Sequence, residues 1–355
     1  MKIQRLVFWP LSLKLREPYT ISYETIDTAP QVFLQIHTDT GLVGWGACNP
    51  DLQVTGETQE TVLTSLRDLV EPALIGEDPL RISWVLNKIR PLMNEQPSAK
   101  ALVDMALYDL LGKRAGLPIY RLLGGYRTSI STSITIGIMP IVEAVEHAVR
   151  FTQQGFHCIK VKGGSHLDED IERVRKIREA IGKGVALRFD ANQGYTVEES
   201  VRFVHETLDV GIELLEQPTP REKREWLGQV SQRTTIPIMA DESLVSLRDA
   251  FRLAQEELTD MVNIKLMKVG GLERASQVNA VAYAAGLEAM VGCMDETALG
   301  IAAGLHFALA RPNVHYADLD GHFDLLDDPS SGTVILRDGV LFPREEAGLG
   351  LCWSE

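Results

Sequence analysis

Residues 158–192 read CIKVKGGSHLDEDIERVRKIREAIGKGVALRFDAN. A short apolar run, Cys158–Lys162, is followed by an amphipathic helical stretch and then by a second apolar run, Ala186–Asp190. That is the pattern of one strand–helix–strand unit, two parallel strands joined by a crossover helix. The near-continuous apolarity of both runs fits strands buried on both faces of a sheet.

The unit recurs on either side. Ser133–Ile138 precedes it, and Ile212–Glu216, Pro237–Asp241, Val262–Lys265, Ala289–Cys293 and Val314–Leu319 continue it. These eight runs start roughly 24–28 residues apart, about one strand-loop-helix-loop unit. Eight such units is the number that closes a (β/α) barrel. The residues upstream read as α+β instead. Strands are predicted over 2–15, 31–38 and 42–48, the last two joined by Asp39-Thr40-Gly41. Helices are predicted over Glu57–Val70, Leu80–Leu92 and Ser98–Ala115, with Pro79 opening the second and Ser98 capping the third. The last run is followed by the turn Asp327-Asp328-Pro329 and a hairpin-like tail, Thr333–Phe342.

Composition removes several classes of function. A chain of 355 residues can bury a sizeable core. Its net charge of −14 argues against nucleic acid or an anionic membrane as partner. No stretch approaches the roughly 20 apolar residues of a membrane helix. Gln4, Arg5, Ser12 and Lys14 interrupt any signal-peptide core at the start. Cys48, Cys158, Cys293 and Cys352 are far apart, so neither a zinc knuckle nor a disulfide framework is expected. Free thiols in a reducing cytoplasm are the expectation.

The polar ends of the runs carry the chemistry. They read Lys160-Val161-Lys162, Asp190-Ala191-Asn192, Glu216-Gln217-Pro218, Asp241-Glu242-Ser243, Asn263-Ile264-Lys265 and Asp318-Leu319-Asp320. In a barrel these ends meet at one face, where active sites of this fold are built. Strand residues i and i+2 face the same way. So Lys160 pairs with Lys162, Asp190 with Asn192, Asn263 with Lys265, and Asp318 with Asp320. By the same parity Lys268 falls off that face and reads as a loop or helix-start cation. Asp190, Glu216 and Asp241 come from adjacent strands and would repel one another at low dielectric. A divalent cation with oxygen ligands, Mg²⁺ or Mn²⁺ rather than Zn²⁺, resolves this. Salt bridges from Lys160 and Lys162 are the alternative account. Lys162 and Lys265 lie on strands 2 and 6, across the mouth from each other. That arrangement suits removal of a proton from one face of a carbon and its return on the other. A lysine base needs its pKa brought down from about 10.4 toward 7–8, and Lys160 and the metal charge are expected to do this for Lys162.

These motifs together resemble the enolase superfamily, muconate-lactonizing subgroup. The resemblance covers essentially the whole chain and includes Ala101–Asp109 (ALVDMALYD) and Leu122-Leu123-Gly124-Gly125. It implies an α/β fold, a modified (β/α)₇β TIM barrel without the eighth helix, under an α+β capping domain. The expected division is a cap over 1–122, a barrel over 123–321, and a C-terminal segment, 322–355, returning to the cap. Asp318-Leu319-Asp320 looks like the Asp-x-Asp of the dipeptide epimerases, which holds a substrate's α-ammonium, and Gly292–Glu296 resembles the strand-7 end of that family.

The resemblance then implies an Mg²⁺-dependent dipeptide epimerase, with Mn²⁺ as a substitute, inverting the α-carbon of the C-terminal residue by two-base proton transfer. Asp190, Glu216 and Asp241 are the implied metal ligands, Lys162 and Lys265 the bases, and Lys160 an electrostatic support. Asn192 and Glu242 stand behind them, and Thr135 lines the site. In epimerases of Ala-Glu dipeptides a cap-loop arginine meets the Glu side chain. Here Glu24 holds that position, with Asp51 and Asp295 nearby, so cationic or neutral dipeptides are expected over acidic ones. L-Ala-D/L-Glu epimerase, N-acylamino acid racemase and o-succinylbenzoate synthase remain alternatives within the superfamily. Outside it stand a Schiff-base aldolase and a non-catalytic peptide-binding protein. No nucleic acid or membrane partner is expected, and a cytoplasmic homo-oligomer is.

Overall fold

The computed structural model describes residues 1–20 and 25–354. Three antiparallel strands open the chain in the order β1 (Ile3–Thr20), β2 (Thr25–Thr38) and β3 (Val43–Cys48). β1 runs five residues beyond the expected end at residue 15, because Tyr19 and Thr20 still pair with Ile26 and Thr25. The glycines of β3 let the sheet sit directly on the helix Pro97–Ala115. A Cβ at Gly44 or Gly46 would lie 2.2 Å from the carbonyl oxygens of Ala106 or Leu102.

Other details of the cap also differ from the sequence expectation: β2 begins at Thr25 rather than at 31, and the helix expected over Leu80–Leu92 runs Ile82–Ile89, with Arg81 rather than Pro79 at its start. The helix expected over Glu57–Val70 begins at Gln59, capped by Thr58, and widens over Leu66–Val70. Pro72 follows, with no N–H to continue the regular ladder. Ser98 does not cap its helix, which starts one residue earlier at Pro97. The cap comes from far away in the chain: Glu57 accepts from the backbone N–H of Ser98 at 2.8 Å and of Ala99 at 2.9 Å.

After the two-residue strand β4 (Ile130–Ser131), eight parallel strands follow, six within the expected runs and two, at Met261 and Glu288, starting one residue earlier. They are β5 (Ile134–Ile136), β6 (Cys158–Lys162), β7 (Ala186–Asp190), β8 (Ile212–Glu216), β9 (Ile238–Ala240), β10 (Met261–Lys265), β11 (Glu288–Gly292) and β12 (Val314–Asp318). Each pairs with the next in chain order. The Thr132–Ala317 bridge and the Ser133 N–H to Ala317 O bond, 3.1 Å, close the ring. A helix follows every strand except β12, which leads instead to the hairpin of β13 (Val334–Arg337) and β14 (Val340–Pro343). This is the (β/α)₇β TIM barrel with an α+β cap. Leu214, Met239, Met261 and Met290 fill the barrel interior, with the Tyr316 ring against them. Apolar packing runs on from barrel to cap in one core. Near the C-terminus Trp353 packs against Trp9, Phe33 and Trp45 of the cap sheet, with ring centroids 4.7–5.9 Å apart. Among the described residues no helix is long and apolar enough to cross a membrane.

Candidate active site

Parallel strands in register bring their C-terminal ends together, and the last residues of β6, β7 and β8 stand side by side: Lys162 beside Asp190, Asp190 beside Glu216. The chain turns sharply after two of these ends. Asn192, Gln193 and Gln217 have φ of +41°, +69° and +31°, a region uncommon outside glycine and frequent at functional sites. Gln217 holds the next strand end in place. Its Oε1 accepts from the N–H of Asp241 and Ser243, at 2.9 and 3.0 Å.

Lys160 is the hub. Its Nζ lies 3.1 Å from Asp190 Oδ2, 2.8 Å from Glu216 Oε2 and 2.9 Å from Asp318 Oδ2. Burial alone would lower its pKa, but Asp190, Asp318 and Glu216 outweigh it and hold the ammonium well above its ordinary range. Asp318 is pulled down to about 2; burial opposes this, and Lys160 and Ser133 prevail. Ser133 Oγ donates to its other oxygen at 2.6 Å. Asp320, two residues past the end of β12, accepts from the N–H of Thr135 at 2.7 Å. Burial and the charge of Asp318 push it up to about 7.

Asp241 carries two lysines. Lys265 donates to its Oδ2 at 2.9 Å, and Lys268 bonds both its Oδ1 and its backbone oxygen. Against burial, Lys265 and Lys268 draw the Asp241 carboxyl far below the usual carboxylate range. Lys265 is raised in turn, Asp241 overcoming burial, so its ammonium form is favoured. Burial dominates at Lys268 and lowers it.

Lys268 is the main departure from the sequence reading. It does sit at a helix start, as expected, but it is not off the face: it is 2% exposed and bonded to Asp241. Strand parity stops where the strand stops: a helical turn, Leu266–Val269, begins right after Lys265. A residue three positions on therefore returns over the same end. Asn263 was legible as sharing the face of Lys265; its Nδ2 donates to Glu216 Oε1 at 2.7 Å.

One cleft between cap and barrel is lined by Asp51, Thr135, Lys160, Lys162, Asn192, Asp241, Glu242, Lys265, Lys268, Asp295, Asp318 and Asp320. Asp190 and Glu216 are fully buried and meet it at Lys160. Asn192 Nδ2 donates to Glu242 Oε1 at 3.2 Å. Asp51 and Asp295 already have partners. Asp51 Oδ1 accepts from the N–H of Gln53 and Val54, each at 2.7 Å. Asp295 accepts from Tyr19 Oη at 2.9 and 3.1 Å. Glu24 lies outside the described residues.

The donor set fits a divalent cation by chemistry, although its oxygens are drawn onto lysines. Among the described residues no three acids already stand grouped to hold one. Salt bridges do cover the trio, but not from the expected pair: Lys160 serves Asp190 and Glu216, Lys265 and Lys268 rather than Lys162 hold Asp241, and Lys162 is 3.9 Å from Asp190. Among the described residues Asp190 Oδ2 and Glu216 Oε2 nonetheless make no hydrogen bond of proper geometry. Burial, with Asp190 and Asp241 adding to it, pushes Glu216 up to about 7, and burial with Asp241 does the same to Glu242. Such carboxylates gain from a metal's charge.

Comparison with known proteins agrees with this architecture. Residues 5–124 match the mandelate racemase / muconate lactonizing enzyme N-terminal domain, and residues 143–355 match the enolase C-terminal domain-like family. The chain belongs to the enolase superfamily. A hydrophobic dipeptide epimerase of Enterococcus faecalis is 40% identical, with 99% of each chain covered. The structure of the Enterococcus faecalis V583 dipeptide epimerase with Mg and L-Leu-L-Tyr superposes with a TM-score of 0.96, at 40% identity and 99% coverage of both chains. The L-Ala-D/L-Glu epimerase of Bacillus subtilis is 38% identical over 99% of this chain and 97% of its own. Its substrate-liganded structure gives a TM-score of 0.97 at 38% identity, covering 99% of each chain. An L-Lys-D/L-Arg epimerase of Desulforapulum autotrophicum is 39% identical, again over 99% of each chain. With such relatives, this enolase-superfamily chain is an isomerase of the racemase and epimerase kind.

Proposed function

We propose that the protein is an Mg²⁺-dependent dipeptide epimerase that inverts the α-carbon of the C-terminal residue. The observation that carries this reading is the placement of Lys162 and Lys265 at the ends of strands 2 and 6 of the barrel, in one cleft with Asp318 and Asp320. Asp190, Glu216 and Asp241 would hold the ion, which supplies charge stabilisation at the substrate carboxylate. One lysine, as amine, takes the α-proton as the C–H bond breaks. The opposite lysine, as ammonium, gives a proton to the other face. Lys160 adds fixed positive charge that needs no reorganisation during the reaction. Asp318 is committed to Lys160 and Ser133. Asp320 is then the freer acid for the α-ammonium, with Thr135 orienting it. Asn192 and Glu242 brace the carboxylates from behind.

The side chain favoured is cationic or neutral. The cleft wall carries Asp51 and Asp295, and Glu24 follows Tyr19 by five residues in the sequence. An acidic substrate side chain would meet like charge there. Asp51 and Asp295 each already accept hydrogen bonds but keep their place on the wall, so Asp51, Asp295 and Glu24 together set the preference. The test is kcat/KM for Ala-Lys, Ala-Arg, Ala-Phe and Ala-Glu at matched salt. Lys162→Ala and Lys265→Ala are assayed alongside for epimerisation and for α-deuterium uptake in D₂O. Each variant should lose epimerisation, and one-sided exchange is expected to survive. A best value for Ala-Glu refutes the charge preference alone. Near-normal epimerisation by either variant refutes the two-base mechanism.

A further inference from the structure

Lys162 and Lys265 are held in different ways. Lys265 is fixed directly, by its hydrogen bond to Asp241. Lys162 donates no hydrogen bond among the described residues, and its one ion-pair partner there, Asp190 Oδ2, is 3.9 Å away. What fixes Lys162 is the backbone that follows it. Gly163 N–H donates to Asp190 O at 2.9 Å, and Gly164 N–H donates to Asp170 Oδ2 at 2.8 Å. The turn is wedged in place. Gly164 has φ +101°, and a Cβ there would lie 2.0 Å from Ala191 O. A Cβ on Gly163 would lie 2.3 Å from the Phe189 ring and 2.7 Å from the Asp170 carboxyl carbon.

Asp170 sits in the first turn of the helix Leu167–Ile181. Asp168 and Glu169 beside it are exposed, as acids at a helix start usually are, but Asp170 is turned inward and buried. Tyr195 Oη donates to Asp170 Oδ2 at 2.6 Å, and Arg173, also buried, bonds the other oxygen. The Tyr195 ring lies nearly parallel to that of Phe189, and its N–H donates to Pro218 O at 2.9 Å. Neither Asp170 nor Tyr195 lines the cleft.

We propose that Asp170, held by Tyr195 and Arg173, is a positioning residue for Lys162. It sets the direction of one of the two lysines and leaves the other untouched. This rests on the reading of Lys162 and Lys265 as opposed bases. A misplacement of about 1 Å at a reacting group costs on the order of a hundredfold in rate, so loss of one strut bond should be visible on one face of the substrate.

The test is α-proton exchange with D₂O, measured separately for L-Ala-L-Lys, L-Ala-D-Lys, L-Ala-L-Phe and L-Ala-D-Phe. Exchange without inversion needs only the lysine on that face. Tyr195→Phe keeps the stacked ring and removes only the hydroxyl, and Asp170→Asn is the second variant. In both, exchange of the diastereomer served by Lys162 should fall at least tenfold, while exchange of the other stays within twofold. The affected diastereomer is the one that Lys162→Ala silences. Equal losses on both faces would mean a merely structural role and overturn the proposal, as would no loss by a folded Tyr195→Phe. Failure of Lys162→Ala and Lys265→Ala to silence opposite diastereomers would instead remove the base assignment beneath it.

Discussion

Replacing Lys160 by methionine keeps most of the apolar stem of the side chain, one atom shorter, and removes one buried charge. Asp318 loses the ammonium that holds its carboxyl down at about 2. Against an unfolded value near 3.9, that depression is worth about 3 kcal/mol. The sign follows from the direction: a lowered carboxylate stabilises the fold above the unfolded pKa and loses this as pH falls through the folded one. Asp190 and Glu216 lose the same partner. Removing one member of a buried ionic group typically costs about 3–5 kcal/mol, because the remaining charges stay uncompensated. Lys160→Met should therefore be destabilised by about 3–5 kcal/mol at pH 7 in EDTA, read as a lower urea midpoint. The deficit should shrink toward pH 4, where the stranded carboxylates take up protons. A variant as stable as the parent at pH 7 in EDTA would refute the account of Lys160 as the charge that holds this site together.

Three other outcomes are expected. EDTA should abolish epimerisation, and added Mg²⁺ or Mn²⁺ should restore it; full activity in EDTA would remove the metal from the mechanism. Glu57→Ala leaves the N–H groups of Ser98 and Ala99 without their acceptor; the loss should be about 3 kcal/mol, seen as a lower urea midpoint, with burial of the carboxylate offsetting part. His306 is fully buried and held down to about 4 by burial. The unfolded chain binds its proton from about pH 6.5 downward and the folded chain does not, so about 3 kcal/mol should be lost between pH 6.5 and 4; His306→Gln should flatten that part of a stability–pH curve.

The barrel was legible because six of the eight buried runs end in a charge and the period is fixed by one strand-helix unit. Parity then placed Asn263 and Lys265 on a common face; Asp320 lines the cleft with Asp318, although it lies two residues past the end of β12. What was not legible comes from beyond a strand or from across the chain. Lys268 rises out of a helical turn to which strand parity does not apply. Ser133 reaches Asp318 only because the barrel closes, joining residues 185 apart in sequence. Glu57 caps a helix that starts 40 residues later, where a local reading offered Ser98. Asp295 was legible as a cleft residue, but its bond to Tyr19 depends on how the cap lies over the barrel.

Charge accounting links these arrangements. Six acids converge on the site, Asp190, Glu216, Asp241, Glu242, Asp318 and Asp320, against four lysines, Lys160, Lys162, Lys265 and Lys268. Six against four leaves two negative charges in excess, and burial makes them costly. Protonation is one way to shed them, which is why Glu216, Glu242 and Asp320 are each pushed up to about 7. A doubly charged cation is the other, and it leaves every acid ionised. A zwitterionic dipeptide then adds one carboxylate and one ammonium and keeps the balance. Its side-chain charge is the one left to be met by the wall of the cleft, where Asp51 stands and no arginine is present among the lining residues described. On the proposed reading, an anionic side chain should therefore fit this site worst, and a neutral or cationic one should keep or improve the balance.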